Sequence, residues 1–358
     1  MANNNFDLSN LALQCVCPNN ELIYDDVGKP SVMVKIPKMT YAQLGLGSST
    51  DIHPAFIVNG VTKDAIWISK YQNVVVGGRA YSLPAKDPKT AITFDAARSA
   101  CIAKGAGWHL MTRAEWAMLA LWCKANGTQP KGNNNYGKDH SETVYRAIPT
   151  YMDGNNIGRV ATGTGPLSWS HDGTPSGIWD LNGNVWEWVG GLRLVKGEVQ
   201  ILANNNAAIV TADQAANSAE WKAIDATTGE LLTPDGTGTT ANSVKLDYVS
   251  SHWQWDTSIS SQSDSSRNAP FENTTCSENI ADPAKLVLQA LGLFKYDATS
   301  GAYSGDYFYA NNGAAERSFY CGGAWVSGAN AGVFALFGGY DRSSSNAGIG
   351  FRSAYYVP

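Results

Sequence analysis

Charge is scarce in this sequence. Asp, Glu, Lys and Arg make up 16% of its 358 residues, and the balance is −5 at pH 7. With no basic excess there is no electrostatic footprint for a polyanion, so nucleic acid and anionic membranes are not expected as direct partners. No stretch approaches the ~20 apolar residues that a membrane span needs, so membrane insertion is not expected. The N-terminus, MANNNFDLSNLALQCVC, lacks the basic region and long apolar run of a signal peptide, which disfavours export by the general secretory route. Six cysteines (Cys15, Cys17, Cys101, Cys123, Cys276 and Cys321) show no zinc spacing, and the CxC of Cys15 and Cys17 is not a standard motif. Cys101 and Cys123 fall at apolar positions of expected helices and read as buried thiols. No obligatory disulfide is expected, in keeping with assembly in a reducing cytoplasm. Five histidines (His53, His109, His140, His171 and His252) are scattered and supply no evident ligand set for iron.

The most informative absence is local. From Phe319 to Pro358 there is no Lys, Glu, Gln, Met, His or Thr, while Gly, Ser, Ala, Phe and Tyr dominate. Gly322, Gly323, Trp325, Gly328, Ala331, Gly332, Phe334, Ala335, Leu336, Arg342, Ser343, Gly350, Phe351 and Arg352 read as framework, because glycine permits close backbone approach and aromatics fill a core. The others read as passengers: Phe319, Tyr320, Ala324, Val326, Ser327, Phe337, Gly339, Tyr340, Asp341, Ser344, Asn346, Ala347 and Gly348. Each is reachable from the Asn codon AAC by changing only its adenines, a set that excludes Lys, Glu, Gln, Met and Trp. That pattern suggests diversification.

Magnitudes decide where such variation can live. A domain is stable by ~5–15 kcal/mol, and a large-to-small core change costs ~2–5 kcal/mol, so a dozen diversified core positions would unfold nearly every variant. Exposed substitutions stay within about ±0.5 kcal/mol. The passengers are therefore expected to face solvent, on one side of a rigid sheet, where they could supply much of the ~800 Å² per partner of a standard interface. Phe319, Tyr320, Phe337 and Tyr340 are the expected anchors, since aromatic rings give large contact area at low entropic cost.

Upstream, residues 1–30 read as an N-terminal arm and residues 31–358 as one domain. SVMVKIPKMTYAQL and HPAFIVNGVTKDAIWISKYQNVVV alternate like strands, with Asn59-Gly60 as a hairpin turn. Thr93 can cap a helix over FDAARSACIAKG that Gly105 stops. Thr112 and Glu115 form an S/T-x-x-E capping box ahead of the stripe Trp116, Leu119, Ala120 and Cys123, which Gly127 ends. His109 reads as a hydrogen-bonded core residue. From Gln129 to Pro175 the chain is loop-rich. Asp139, Asp153 and Asp172 leave room for a structural calcium there, but without EF-hand spacing turn caps are the favoured reading. In GIWDLNGNVWEWVGG, Val185, Trp186 and Trp188 are expected to enter the core. Glu187 is expected to pair there with Arg193, Arg342 or Arg352 rather than act as a catalyst. Residues 196–275 read as a β-rich insertion, followed by a short helix with Asp282 as cap and Pro283 at its first position.

Three segments carry a resemblance to a known family. CGGAWVSGANAGVFALFGGYDRSSSNAGIGFRS resembles the variable region of diversity-generating retroelement target proteins, whose C-type-lectin fold is related to the formylglycine-generating enzyme. GWHLMTRAEWAMLALWCKANG and GIWDLNGNVWEWVGG agree with it, the second through a GxxDxxGNVWEW signature. The resemblance covers roughly residues 30–190 and 300–358. It implies an α+β C-type-lectin-like domain, two helices on twisted antiparallel sheets, with an insertion at about 196–275 and a diversified region at about 317–358. It also implies ligand binding through the passengers, without catalysis, to a protein or glycan receptor on a host cell, as in phage receptor-binding proteins of the tropism-determinant type. The expected location is the virion, on a phage tail, after synthesis in the host cytoplasm; a bacterial surface display protein of the same fold is the alternative, and a formylglycine-generating-like oxidase comes third. A homo-oligomer such as a trimer would multiply weak contacts, though no coiled coil marks one. The oxidase branch of the fold needs two cysteines soon after its Gly-Gly-Ser-aromatic step to hold copper. Here Gly322-Gly323-Ala324-Trp325 is followed through Gly332 by none, and Cys321 precedes it. Calcium-dependent sugar binding in this fold uses a cis-proline that the tail lacks, so no cofactor is expected at the variable face and the fold alone implies no carbohydrate.

Overall fold

The computed structural model describes residues 7–145 and 147–358. In chain order its principal elements are α1 (Leu8–Val16), β1 (Asn20–Tyr24), β2 (Pro30–Pro37), β3 (Ala65–Ser69), α2 (Phe94–Ile102), β4 (Trp108–Leu110), α3 (Arg113–Ala125), β5 (Trp186–Val195), β6 (Glu198–Ile201), β7 (Lys245–Val249), β8 (His252–Asp256), β9 (Arg267–Pro270), β10 (Thr275–Cys276), α4 (Asp282–Ala290), β11 (Tyr307–Ala310), β12 (Arg317–Gly322), β13 (Gly332–Gly338), β14 (Ile349–Phe351) and β15 (Ser353–Tyr355).

Local chemistry places the helices where the sequence puts them. Thr93 Oγ1 accepts from Ala96 N to start α2. Thr112 and Glu115 close a reciprocal capping box at the head of α3, satisfying two of the four backbone donors that a helix start leaves free. Trp116, Leu119, Ala120 and Cys123 are all buried. Asn59 and Gly60 take φ of 50° and 72° in the hairpin Ile57–Val58 to Val61–Thr62, the left-handed pair of a tight hairpin turn. Asp282 departs from expectation. It is the first residue of α4, the cap is Ala281 with no side-chain bond, and Asp282 pairs with Lys285 at 3.0 Å on the surface.

Two sheets organise the chain. The smaller is antiparallel, in the order β1-β2-β3-β15-β4. The segment expected as an arm therefore supplies α1 and an edge strand, and residues 1–6 lie outside the described residues. The larger sheet has 12 strands, nine of them along the path β9-β11-β13-β12-β5-β6-β7-β8-β10, with β14 and the short strands Lys222–Ile224 and Leu231–Leu232 off it. It is mixed, where antiparallel sheets were expected. β13 folds back between β11 and β12, running antiparallel to β12 and parallel to β11, and β14 lies parallel to β5.

The stretch 196–275 extends this sheet. Val199, Leu246, Trp253 and Trp255 share one core with Trp116 and Leu119 of α3, so the polar-looking SSHWQWD segment is held by two buried indoles. The tail belongs to both sheets, β14 to the larger and β15 to the smaller. Arg352 lies between them, fully buried.

Candidate functional site

The tail's frame depends on a tight corner. Gly322 and Gly323 take φ of 94° and 95°, a region that costs any other residue strain. A Cβ on Gly322 would meet Leu181 O at 2.9 Å, and one on Gly323 would meet Ala331 Cβ at 2.4 Å. The corner ends β12, throws out the loop Ala324–Ala331 and returns the chain as β13.

Pairing then lines up rings. Tyr309 of β11 is opposite Phe337 of β13, which is opposite Tyr320 of β12, which is opposite Trp188 of β5. Cross-strand neighbours on one face are within side-chain reach, and here every step of the ladder is aromatic. Tyr309 and Phe337 stack at 5.1 Å, Phe337 and Tyr320 stack at 4.8 Å, and Tyr320 meets Trp188 edge-on at 5.0 Å. Tyr340 extends the stack, 5.1 Å from Phe337. Trp186, two residues before Trp188 and so on the same face of β5, touches Tyr309, Tyr320 and Phe337 at 6.3, 5.3 and 5.7 Å. α2 covers the far end, where Phe94 packs on Trp188 and Trp188 Nε1 donates to Ile92 O. At the near end Trp186, Tyr309 and Phe337 are half-buried, and Tyr340 is 49% exposed.

Two loops rim these rings. In the first, Val326 is exposed, Ser327 is half-buried with its Oγ accepting from Ala324 N, and Asn330 donates to Tyr309 Oη at 3.2 Å. In the second, Asp341 accepts from Ser343 N and Oγ, contacts that with Arg317 hold its carboxyl below the usual range. Asn346 is exposed and Ser344 half-buried. Half-buried Ala347 packs into the cluster of Val185, Ala324 and Trp325, and Gly348 O accepts from Trp186 N at 2.8 Å. Phe337, Ala347 and Gly348 thus lie beside Trp186, and Tyr340 reaches it through Phe337.

Four passengers do not face solvent. Phe319 is 1% exposed in the main core, because side chains alternate along β12 and the residue before Tyr320 must point to the other side; its ring occupies the space a Cβ on Gly338 would need. Tyr320 faces the right way but lies beneath Phe337, Trp186 and Trp188, 2% exposed, and burial raises its phenol pKa. Ala324 is buried against Val185 and Trp325, and Gly339 is buried beside Phe337 and Ser266. Phe319 and Tyr320 are therefore support. The surface aromatics are Tyr340, Phe337, Trp186 and Tyr309, two of which fall outside the tail and were missed.

Glu187 is fixed by Arg352, one of the three expected partners. Nε and Nη2 of Arg352 each lie 2.6 Å from a carboxylate oxygen, and Gln72 Nε2 donates to Oε1 at 3.0 Å. Arg193 and Arg342 instead bind Glu316. His109 bridges Gly107 O and Glu115 Oε1. The acidic residues weighed for calcium serve loops: Asp139 accepts from Gly132 N, Asn134 Nδ2 and Ser141 N, Asp172 from Thr174 N, and Asp153 from Trp325 Nε1. Among the described residues no group of three His, Cys, Asp or Glu side chains is placed to hold a metal.

No family model and no curated relative matches the sequence. Solved structures do. The chain is similar to PvdO from Pseudomonas aeruginosa, at 13% identity and a TM-score of 0.34 over 92% of this chain and 95% of that one. It is also similar to the U1 variant of the major tropism determinant, at 13% identity and a TM-score of 0.30, covering 91% of this chain and 63% of that one. A third similarity is to Treponema denticola variable protein 1, at 11% identity and a TM-score of 0.32 over 94% and 99% of the two chains.

Proposed function

We propose that this chain is a ligand-binding protein with a C-type-lectin-like, formylglycine-generating-enzyme-like fold. In this reading it presents a retroelement-diversified surface to a protein or glycan receptor on a host cell and is carried on a phage tail. The single observation supporting this is spatial. Among the passengers that reach solvent, Phe337 and Tyr340 stack on one another beside Trp186, Ala347 packs into the cluster that Trp186 borders, and buried Tyr320 stacks beneath Phe337 as an aromatic floor. Such a floor holds the face rigid while its rim changes, which lowers the ordering cost of binding. A catalytic role for the tempting carboxylate of Glu187 is disfavoured, because both its oxygens are engaged by the buried Arg352 guanidinium.

The test is binding of the purified protein to a panel of bacterial surfaces beside a Phe337→Ala/Tyr340→Ala variant. Loss of two anchor rings is expected to weaken binding to any positive strain by about 30-fold or more. Equal binding by both proteins refutes the proposed face.

A further inference from the structure

A thiol and an amine are held together where α1 meets the smaller sheet. Lys70 directly follows β3 and is buried. Its Nζ donates to Asn20 Oδ1, to Pro175 O at 2.5 Å and to Cys17 Sγ at 3.6 Å. Cys17 is the C-cap of α1, 6% exposed, and its thiol also reaches Pro175 O at 3.4 Å. Amine and thiol thus share an acceptor, which holds them side by side. Val16 and Pro18 on either side of the cysteine are exposed, so the thiol lies just below the surface. Burial lowers the pKa of Lys70 against the opposing pull of Cys17 and Asp172, which eases loss of one of the three donated protons and so formation of the free amine whose lone pair attacks an electrophile. No other cysteine has a lysine Nζ among its hydrogen-bond partners among the described residues.

We propose that Cys17 and Lys70 form a covalent sulfur–nitrogen cross-link when the protein meets hydrogen peroxide. Peroxide first transfers one oxygen to the Cys17 thiol, giving a sulfenic acid and one water, with sulfur oxidised by two electrons and peroxide reduced. The Lys70 nitrogen then attacks that sulfur. The S–O bond breaks, and its hydroxyl leaves as a second water with one proton from the amine, as sulfenic acids condense with nitrogen elsewhere. The chain loses two hydrogen atoms overall. The product pins α1 to the end of β3, a latch that stays open in a reducing cytoplasm and closes in an oxidising exterior. It is independent of the proposed ligand face.

The experiment uses the full chain carrying Cys15→Ser, which removes the competing disulfide of the CxC pair. After peroxide treatment and quenching, tryptic peptides are mapped by mass spectrometry. The expected product joins the Cys17 and Lys70 peptides, two hydrogens lighter than their sum, is uncleaved after position 70 and is released by dithiothreitol. A Lys70→Arg variant, which keeps the charge, should yield none. Recovery of Cys17 as free thiol or sulfinic acid, with normal cleavage after Lys70, overturns the proposal. Unchanged joined peptide in Lys70→Arg overturns it as well.

Discussion

Replacing Arg352 by methionine should be among the most damaging single changes available in this chain. Its guanidinium is fully buried and makes two 2.6 Å bonds to Glu187, one of 3.1 Å to Ser69 O and one of 3.0 Å to Trp179 O. Removing one partner of a buried ion pair costs about 3–5 kcal/mol, because the other charge stays buried and uncompensated. Here only Gln72 would remain on the carboxylate, and two carbonyls would lose a donor at about 1 kcal/mol or more each. The sum, about 5–7 kcal/mol, is comparable with the whole stability of an ordinary domain. The double variant Glu187→Gln/Arg352→Met removes the orphaned charge and should recover about 3 kcal/mol of that loss. Urea denaturation followed by tryptophan fluorescence reads both, with twelve indoles as probes. A single variant within about 1 kcal/mol of the parent, or a double variant no better than the single, would refute the claim that this pair is structural.

Three further outcomes follow. Phe319→Ala should cost about 3–5 kcal/mol and Tyr340→Ala less than about 1 kcal/mol, since the first ring is buried and the second half exposed; comparable unfolding midpoints would show that the face is misplaced. Burial raises the pKa of Asp180 to about 6, so between pH 4 and 6 the folded state holds a proton that the unfolded chain has released. The contribution of Asp180 to stability therefore falls as pH rises through that window. Asp180→Asn, which keeps the bond from Gly163 N and suits a left-handed φ of 63°, should be more stable than the parent at pH 7 by up to about 3 kcal/mol and indistinguishable from it at pH 3.5; a pH-independent difference in denaturation midpoints contradicts this. Gly323→Ala, strained at φ 95° and meeting Ala331, should lower the melting temperature through a loss above about 1 kcal/mol; an unchanged melting curve would mean that the corner relaxes freely.

The parts of this architecture that could be read from sequence are those set by neighbours along the chain. The Thr112/Glu115 box, the Thr93 cap and the Asn59-Gly60 turn need only a few adjacent residues to specify them, and all three stand as read. In the tail, sequence alone does not tell which of the expected passengers lie inside. Codon accessibility assigns Phe319 and Val326 alike, whereas burial depends on strand alternation and on what covers the strand. Tyr320 is covered by Trp186 and Trp188, more than 100 residues earlier in sequence. Trp186 follows the same alternation as Trp188, so alternation alone does not tell that the first is half-buried and the second is covered by Phe94 of α2. The parallel pairing of β11 with β13 has no local signal, since a strand's neighbours are chosen by the path of the whole chain.

In the proposed function a stacked aromatic floor carries a rim that tolerates arbitrary side chains. The most direct measurement is a library in which Val326, Ser327, Tyr340, Asn346 and Ala347 are randomised together, displayed on a surface and sorted for folded protein and then for binding to unrelated targets. Most members should fold and different targets should select different rims, while a parallel library at Phe319, Tyr320 and Ala324 should yield few folded members. Equal losses from the two libraries, or no binders from a well-folded first library, would contradict it.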